Sequence, residues 1–523
     1  MWLHTNYNYL MNHSKNIEVL LICEGTFPYN TGGVSTWAND LCTRIEDVDF
    51  TVYSINANVE RSTKYHLGDR IKKVIQVPMW SSEEPFDCLD YGIKYSKILQ
   101  KRELTTESAI ASSFSQSFKT FIEEIYATEK SIEVIEQCFH RMWQFFQKYD
   151  YKKTMSSAVV WNSFKEALIS VIPKEELEDI TLEDTTTAMR WIYRFLIPMA
   201  IKVPKVDIAH ITISGIAVLP ALALKYKYNT PILVTEHGVF IRERLIAISS
   251  AEYPYFLKKM LINFSECITK LVYYHATKIT TVSKFNLSWE TFYGANAAKI
   301  NVVYNGVDHT RFKPLPKPEP LLNIPTVVAA ARIFDLKDII TMIRVCHEVR
   351  KSIPNVQFLV YGNKDAVPEY TLACEELIVS LNLKEHFHLK GFHHNPSKLY
   401  SEGDVSILTS ISEGFPYTVI ESMSCGIPVV STDVGGVSEA LDETCGFICK
   451  PKDYQDIADK VITLLNDPDL RREMGDSARK RVISNFTINS FTTAFKDIYK
   501  GLGNKDVKLK ETKETSVEIA VPQ

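Results

Sequence analysis

The chain has 523 residues, 45% of them hydrophobic, and carries 59 Lys and Arg against 63 Asp and Glu, a formal charge of −4. This length predicts roughly two to four domains, and the hydrophobic share predicts sizeable cores and argues against global disorder. The balanced charge, with no long Lys/Arg run, argues against nucleic acid as a partner and against a basic membrane-binding face.

Ten cysteines are scattered along the chain without a Cys-x-x-Cys pair, and Cys445 and Cys449 lack a His or second pair at zinc spacing. Reduced thiols in a reducing compartment are expected. Met1 to Asn16 is polar and lacks an apolar signal core. No stretch reaches the ~18 uncharged residues of a membrane span. Trp191 to Val203 comes nearest, but it is short and carries Arg194 and Lys202. A cytoplasmic location is expected, peripheral to the inner face of the membrane only through partners.

Ile17 to Cys23 reads as a buried parallel strand, Glu24 to Gly33 as a loop, and a helix follows from Val34, with Trp37, Leu41 and Ile45 at helical spacing. Strand, Gly32-Gly33 turn and helix can bring backbone N–H groups against a phosphate. The glycines equally fit the dihedrals of a tight turn, and the pattern is neither G-x-G-x-x-G nor a Walker A loop. Phe50 to Ile55 is a second strand. From about 91 to 202 the patterns turn helical, with apolar stripes Phe114-Phe118-Phe121-Ile122-Ile125, Ile132-Ile135-Phe139-Met142-Trp143-Phe146, Val160-Phe164-Leu168 and Met189-Ile192-Leu196-Met199. They predict the core of a helical insertion; a cap over an acceptor groove or a docking face is the alternative.

Strands resume at Asp207 to Ile211 and Pro231 to Thr235, and the second runs into Glu236-His237-Gly238 and then Arg242-Glu243-Arg244. A His-Gly at the carboxyl end of a parallel strand is where open α/β sheets bind ligands. The surrounding charge marks His237 as a site residue rather than a core histidine. His210 fits packing or support from behind as well as ligand contact. Ala276 to Ser283 is a strand entering a helix near Lys284, and Lys299 to Asp308 closes the first half. Pro314, Pro316, Pro318 and Pro320 then mark a stiff linker.

The second half repeats the rhythm with strands at Thr326–Ala331, Val356–Tyr361, His386–Lys390, Asp404–Leu408 and Pro428–Thr432. The expected fold class is α/β, with doubly wound, Rossmann-like sheets. Arg332 and Lys337 follow the first of these strands and can converge on a phosphate, or be two solvated cations at a turn. Ser412-Glu413-Gly414-Phe415-Pro416-Tyr417 leads into a helix that Pro416 is expected to start, with Glu421 inside it and Cys425-Gly426-Ile427-Pro428 ending it. One carboxylate then stands beside free N–H groups and the other about a turn further in, an arrangement that can hold a polyol and an anion side by side. Asp433 to Val437 adds another glycine turn. The expected domains are 1–315, with the insertion at about 91–202; 316–486; a helix at 487–503 crossing back to the first domain; and a polar tail, 504–523.

Arg332 with Lys337, Gly391-Phe392, and Glu413 to Glu421 followed by Gly426-Ile427-Pro428-Val429-Val430 together resemble a retaining glycosyltransferase of family four. The resemblance covers nearly the whole chain. It implies the GT-B fold: two Rossmann-like domains facing across a cleft, here with a helical insertion in the N-terminal one. It also implies that Arg332 and Lys337 hold a donor's diphosphate, facing Gly32 and Gly33. Glu413 would contact the donor-sugar hydroxyls, helped by the backbone of Gly414, Phe415, Pro416 and Tyr417. Glu421 would accept from the ribose diol, and Leu389 to Phe392 would line the base.

Glu24 to Tyr29, Gly32 to Trp37, Thr235 to Gly238 and Arg242 to Arg244 resemble a narrower group, the Pel exopolysaccharide glycosyltransferases. That likeness implies a UDP-sugar donor, UDP-glucose first, a saccharide acceptor, and docking to a membrane polysaccharide synthase or export complex. His237 joins Glu413, Arg332 and Lys337 as the expected catalytic set, while His210, Arg242, Glu243 and Arg244 face the acceptor or support the site. No metal and no cofactor are expected, because the cations take the metal's place. Two departures stand out: Ala331 replaces the glycine many relatives place before the Arg, and Asn30-Thr31 stand where a basic residue is expected before Gly32. A GT-B sugar-nucleotide epimerase or hydrolase, and a nucleotide-sugar-binding subunit without catalysis, remain the alternatives.

Overall fold

The computed structural model describes residues 16–80, 93–393 and 395–503. The polar stretch before residue 16, the expected start of the insertion at Tyr91 and the 504–523 tail lie outside the described residues.

Two parallel sheets organise the chain. The first contains β1 (Ile17–Glu24), β2 (Val48–Asn56), β3 (Ile71–Pro78), β4 (Ile208–Ile211), β5 (Ile232–Glu236), β6 (Lys278–Thr281) and β7 (Ile300–Val302), in the order β3-β2-β1-β4-β5-β6-β7. The second contains β8 (Thr326–Ala330), β9 (Gln357–Tyr361), β10 (Phe387–Gly391), β11 (Val405–Leu408), β12 (Val429–Thr432) and β13 (Gly446–Cys449), in the order β10-β9-β8-β11-β12-β13. Central strands such as Val19 to Cys23 are wholly buried, as a sheet covered by helices on both faces requires. In each sheet the strand order runs one way and then reverses, between β1 and β4 and between β8 and β11. A crevice opens at such a reversal outside the carboxyl ends of the strands, the usual place for a ligand in a doubly wound sheet.

Strands β3 and β13 are additions to the sequence reading, and both lie at sheet edges. Lys72 and Lys73 are exposed on β3, which breaks the apolar run by which inner strands are recognised. The crossover from β3 to β4 carries a run of helices from Tyr95–Leu104 to Leu182–Ala200. Their stripes are core: Phe118, Phe121, Ile122, Phe139, Met142, Phe164 and Leu196 pack in one cluster with Leu20 and Ile22 of β1. No helix among the described residues is long and apolar enough to cross a membrane.

The final helix, Ile488–Gly503, leaves the second sheet and returns to the first. Its Ile488, Phe491, Phe495, Ile498 and Tyr499 pack with Val19, Leu21, Trp37 and Phe50. Each such apolar side chain contributes about 1.5–3 kcal/mol when fully buried, so this helix binds the two halves firmly. The nine cysteines among the described residues are all buried and free.

Candidate active site

The loops after β8 and β11 meet at the reversal point of the second sheet. Thr409 Oγ1 donates to the carbonyls of Lys337 and Asp338 at 3.0 Å each, and Ile411 N–H donates to Leu336 O at 2.8 Å. This stitching brings Lys337 Nζ onto Glu413 Oε1 as an ion pair, both side chains mostly buried. Ser410 Oγ donates to the same carboxylate oxygen at 2.6 Å. Arg332 takes a different partner: its exposed guanidinium lies 4.9 Å from the centroid of the Phe334 ring.

Glu413 lies in the loop and Glu421 in the helix Tyr417–Ser424. Pro416 is the residue before that helix rather than its first residue, with φ −74° and ψ 123°, one position later than the sequence suggests. The helix has no side-chain cap and no acidic residue in its first turn, so its first N–H groups remain available to an anion. Tyr400 donates to Glu421 Oε2 at 3.0 Å. Burial raises the Glu421 carboxyl to about 7, against the opposing pull of Tyr400 and Arg311. Gly435 and Gly436, the glycine turn after β12, brace the Glu413 loop from behind: Gly436 N–H donates to Gly414 O at 2.7 Å. Gly391, the last residue of β10, sits at φ +74°, and Phe392 beside it is 64% exposed, so a ring face is open at the expected base position.

The first sheet faces this apparatus across the cleft. The helix Gly33–Arg44 follows Gly32, whose φ of 154° favours glycine. Its first turn is also uncapped and free of acidic residues, and Gly33 lies against the Tyr417 ring. His237 follows β5, stacked edge-on against Trp37 at 4.5 Å. Burial lowers its imidazole to about 3, so it is neutral at physiological pH. Arg242 donates to Ser412 Oγ, and Glu243, held above the usual carboxylate range by burial, faces Arg244, Arg242, Glu413 and Lys337. Arg242, Glu243, Lys337 and Glu413 therefore form one charged cluster with members from both domains.

His210 stands apart from this cluster. It is fully buried, with Nδ1 bonded to Tyr499 Oη and Nε2 to Thr235 Oγ1, each at 2.7 Å. Of the two readings open for His210, the geometry fits packing, tying the returning helix to β5, and not ligand contact. Both ring nitrogens are occupied by protein.

Several partnerships in and around the cleft carried no local signal. Glu439 accepts from the N–H groups of Lys284 and Phe285 at 2.8 and 3.0 Å and from Tyr304 at 3.0 Å, joining the domains. Asn305 Nδ2 donates to Phe415 O at 2.8 Å. Behind His237, Glu236 accepts from Tyr273 at 2.7 Å and lies in the field of Glu290, both carboxyls buried. Ser410 likewise became visible only through its neighbour Glu413.

Residues 17–298 match the family described as Domain of unknown function (DUF3492), and residues 315–481 match Glycosyl transferases group 1. N-acetyl-alpha-D-glucosaminyl L-malate synthase of Bacillus anthracis is 31% identical over 125 residues, 24% of this chain and 33% of that protein. Trehalose synthase of Pyrococcus horikoshii is 31% identical over 188 residues, 34% of this chain and 44% of that protein. These matches thus span between a third and a half of the relatives' own length. Among solved structures, HepE of Anabaena in complex with UDP has a TM-score of 0.58 at 13% identity, covering 93% of this chain and 100% of that one. Sucrose-phosphate synthase from Thermosynechococcus elongatus has a TM-score of 0.60 at 16% identity, covering 93% and 99%. The likeness shows the GT-B fold.

Proposed function

The chain belongs to the DUF3492 family through residues 17–298 and carries a glycosyl transferases group 1 domain at 315–481, and from that premise we propose that it is a retaining hexosyltransferase. Its donor is a UDP-sugar, UDP-glucose first, its acceptor a saccharide, and its place exopolysaccharide biosynthesis of the Pel type. The observation that carries this reading is the Lys337–Glu413 ion pair, held at the reversal point of the second sheet and faced by Arg242, Glu243 and His237 from the first. HepE, a neighbour in fold, has been solved with UDP-glucose, which supports the choice of donor.

In this mechanism the donor's diphosphate lies between Arg332 and Lys337 on one side and the uncapped helix at Gly33 on the other. As the anomeric C–O bond breaks, charge grows on the departing UDP, and preorganised cations and N–H dipoles stabilise it without a metal. Glu413 holds the sugar hydroxyls and Glu421 the ribose diol. The acceptor oxygen attacks on the face the UDP leaves, and its proton passes to the leaving phosphate. Neutral His237 donates or accepts a hydrogen bond near the anomeric carbon and is not a nucleophile. Closure of the domains excludes water.

Incubating the chain with a panel of UDP-sugars, with and without gluco-oligosaccharides, tests the reading. Acceptor-dependent UDP release is expected. Donor conversion without acceptor identifies an epimerase or hydrolase instead, and binding without turnover identifies a nucleotide-sugar-binding subunit.

A further inference from the structure

The helical insertion holds a cavity of about 630 Å³, within the roughly 300–1,000 Å³ typical of small-ligand sites. Its walls come from Trp80 after β3 and from the helices Tyr151–Met155, Ala158–Val171 and Leu182–Ala200. The last of these helices shows how the sequence builds the wall. Its Met189, Ile192, Leu196 and Met199 pack in the core. Thr187, Arg190, Trp191 and Arg194 recur at i, i+3, i+4 and i+7, so they share the other side of the helix. That side lines the cavity.

Two cations therefore stand on one wall, and no carboxylate stands among the described lining residues. Arg190 is exposed and Arg194 half-buried, and Arg194 Nη1 is enclosed without a hydrogen-bond partner. A guanidinium drawn from water without a counter-charge is costly, and an anion in the cavity offsets that cost. Trp80 and Trp161 join Trp191 in the lining, and Trp80 is 47% exposed. None of these residues belongs to the charged cluster around Lys337 and Glu413.

We propose that this cavity is a binding site for a purine nucleotide, separate from the donor site. Guanidinium forks match phosphate oxygens, and two of them one helical turn apart can grip one phosphate or span two. Indole rings give the base a stacking partner, and a purine offers the larger face. The Thr187 hydroxyl can donate to or accept from the ribose. A neutral saccharide would leave both arginines uncompensated, and a cationic ligand would be repelled. The proposal does not depend on the hexosyltransferase reading.

Titration of the full chain with AMP, ADP, GMP and GDP tests this, with UDP in excess to fill the donor site. Three of the chain's seven tryptophans line the cavity, so fluorescence quenching reports base stacking and calorimetry gives affinity. At least one purine nucleotide is expected to bind and quench. Arg194→Gln lowers its affinity about tenfold or more, the scale of a charge-assisted hydrogen bond, while UDP affinity stays within about twofold. Arg190→Gln, at an exposed position, produces a similar loss and decides the matter should Arg194→Gln not fold. Absence of binding by all four nucleotides, or unchanged binding in the folded variants, overturns the site. Inorganic phosphate binding as tightly as AMP shows that the base contributes nothing, and overturns the nucleotide assignment. Purine binding that UDP abolishes and both variants retain belongs to the donor site, and overturns the proposal too.

Discussion

The α-carbon of Gly414 packs against the carbonyl of His237: a Cβ built on Gly414 would stand 1.6 Å from that oxygen. Gly414 belongs to the loop that carries Glu413, and His237 to the end of β5, so this contact sets how closely the two sheets' sites approach.

Gly414→Ala cannot be absorbed by a flexible side chain, because the obstacle is backbone. The Glu413 loop must withdraw from His237. Misplacement by about an ångström at a reacting centre costs about a hundredfold in rate. Turnover of UDP-sugar is expected to fall by that order, with a more open domain arrangement in small-angle scattering. Unaltered turnover would contradict the placement of the reacting atoms between His237 and Glu413.

Glu413→Gln keeps the shape of the side chain and removes its charge. Loss of one preorganised polar contact to the transition state lowers turnover by about a hundredfold or more. UDP affinity should hold or rise slightly, since Lys337 no longer has a carboxylate partner competing with the diphosphate. Steady-state kinetics alongside UDP titration check both halves, and a native transfer rate in this variant sinks the assignment of Glu413.

Lys337→Ala has the opposite signature. It removes a cation from the diphosphate site and leaves the mostly buried Glu413 carboxylate without its counter-charge. A hydrogen bond to a charged group contributes about 1.5–3 kcal/mol, so UDP should bind roughly ten- to a hundredfold more weakly. Calorimetry with UDP alone reads this, and unchanged affinity would remove Lys337 from the donor site.

Glu236 and Glu290 make stability depend on pH. Burial raises their carboxyls to about 8 and about 7, from an ordinary 4.5. Between about pH 4.5 and 8 the folded chain therefore holds protons that the unfolded chain has released. Stability is fully present below that window and falls as pH rises through it. Glu290→Gln should flatten the decline. Thermal unfolding at pH 5 and pH 8.5 tests the sign, and parallel pH profiles for the variant and the unaltered chain would contradict it.

The inner strands were legible because parallel strands buried on both faces are written as apolar runs: Val19 to Cys23 and Ile232 to Val234 read as strands from composition alone. Edge strands β3 and β13 were not, since exposed Lys72 and Lys73 or a short Gly-Phe-Ile-Cys segment gives no such run. Pro416, Gly414 and the spacing of Glu413 from Glu421 announced a loop-to-helix site for the same local reason: backbone preference at a turn depends on the residues in it. His210 and His237 show where this ends. Each follows apolar residues of a strand, yet one is sealed by Tyr499 and Thr235 while the other reaches the cleft.

Periodicity, glycine and proline were thus enough to write two doubly wound sheets and most of the loops that bear the charges. The pairing of those charges was settled only in three dimensions. Lys337 and Glu413 are 76 residues apart, and Arg242 and Ser412 are 170 apart. Strand and helix formation is governed by interactions within a few residues, whereas ion pairing, burial of a carboxylate and the closeness of Gly414 to His237 depend on how separate elements pack. That packing turns a sequence of loops into two facing sites.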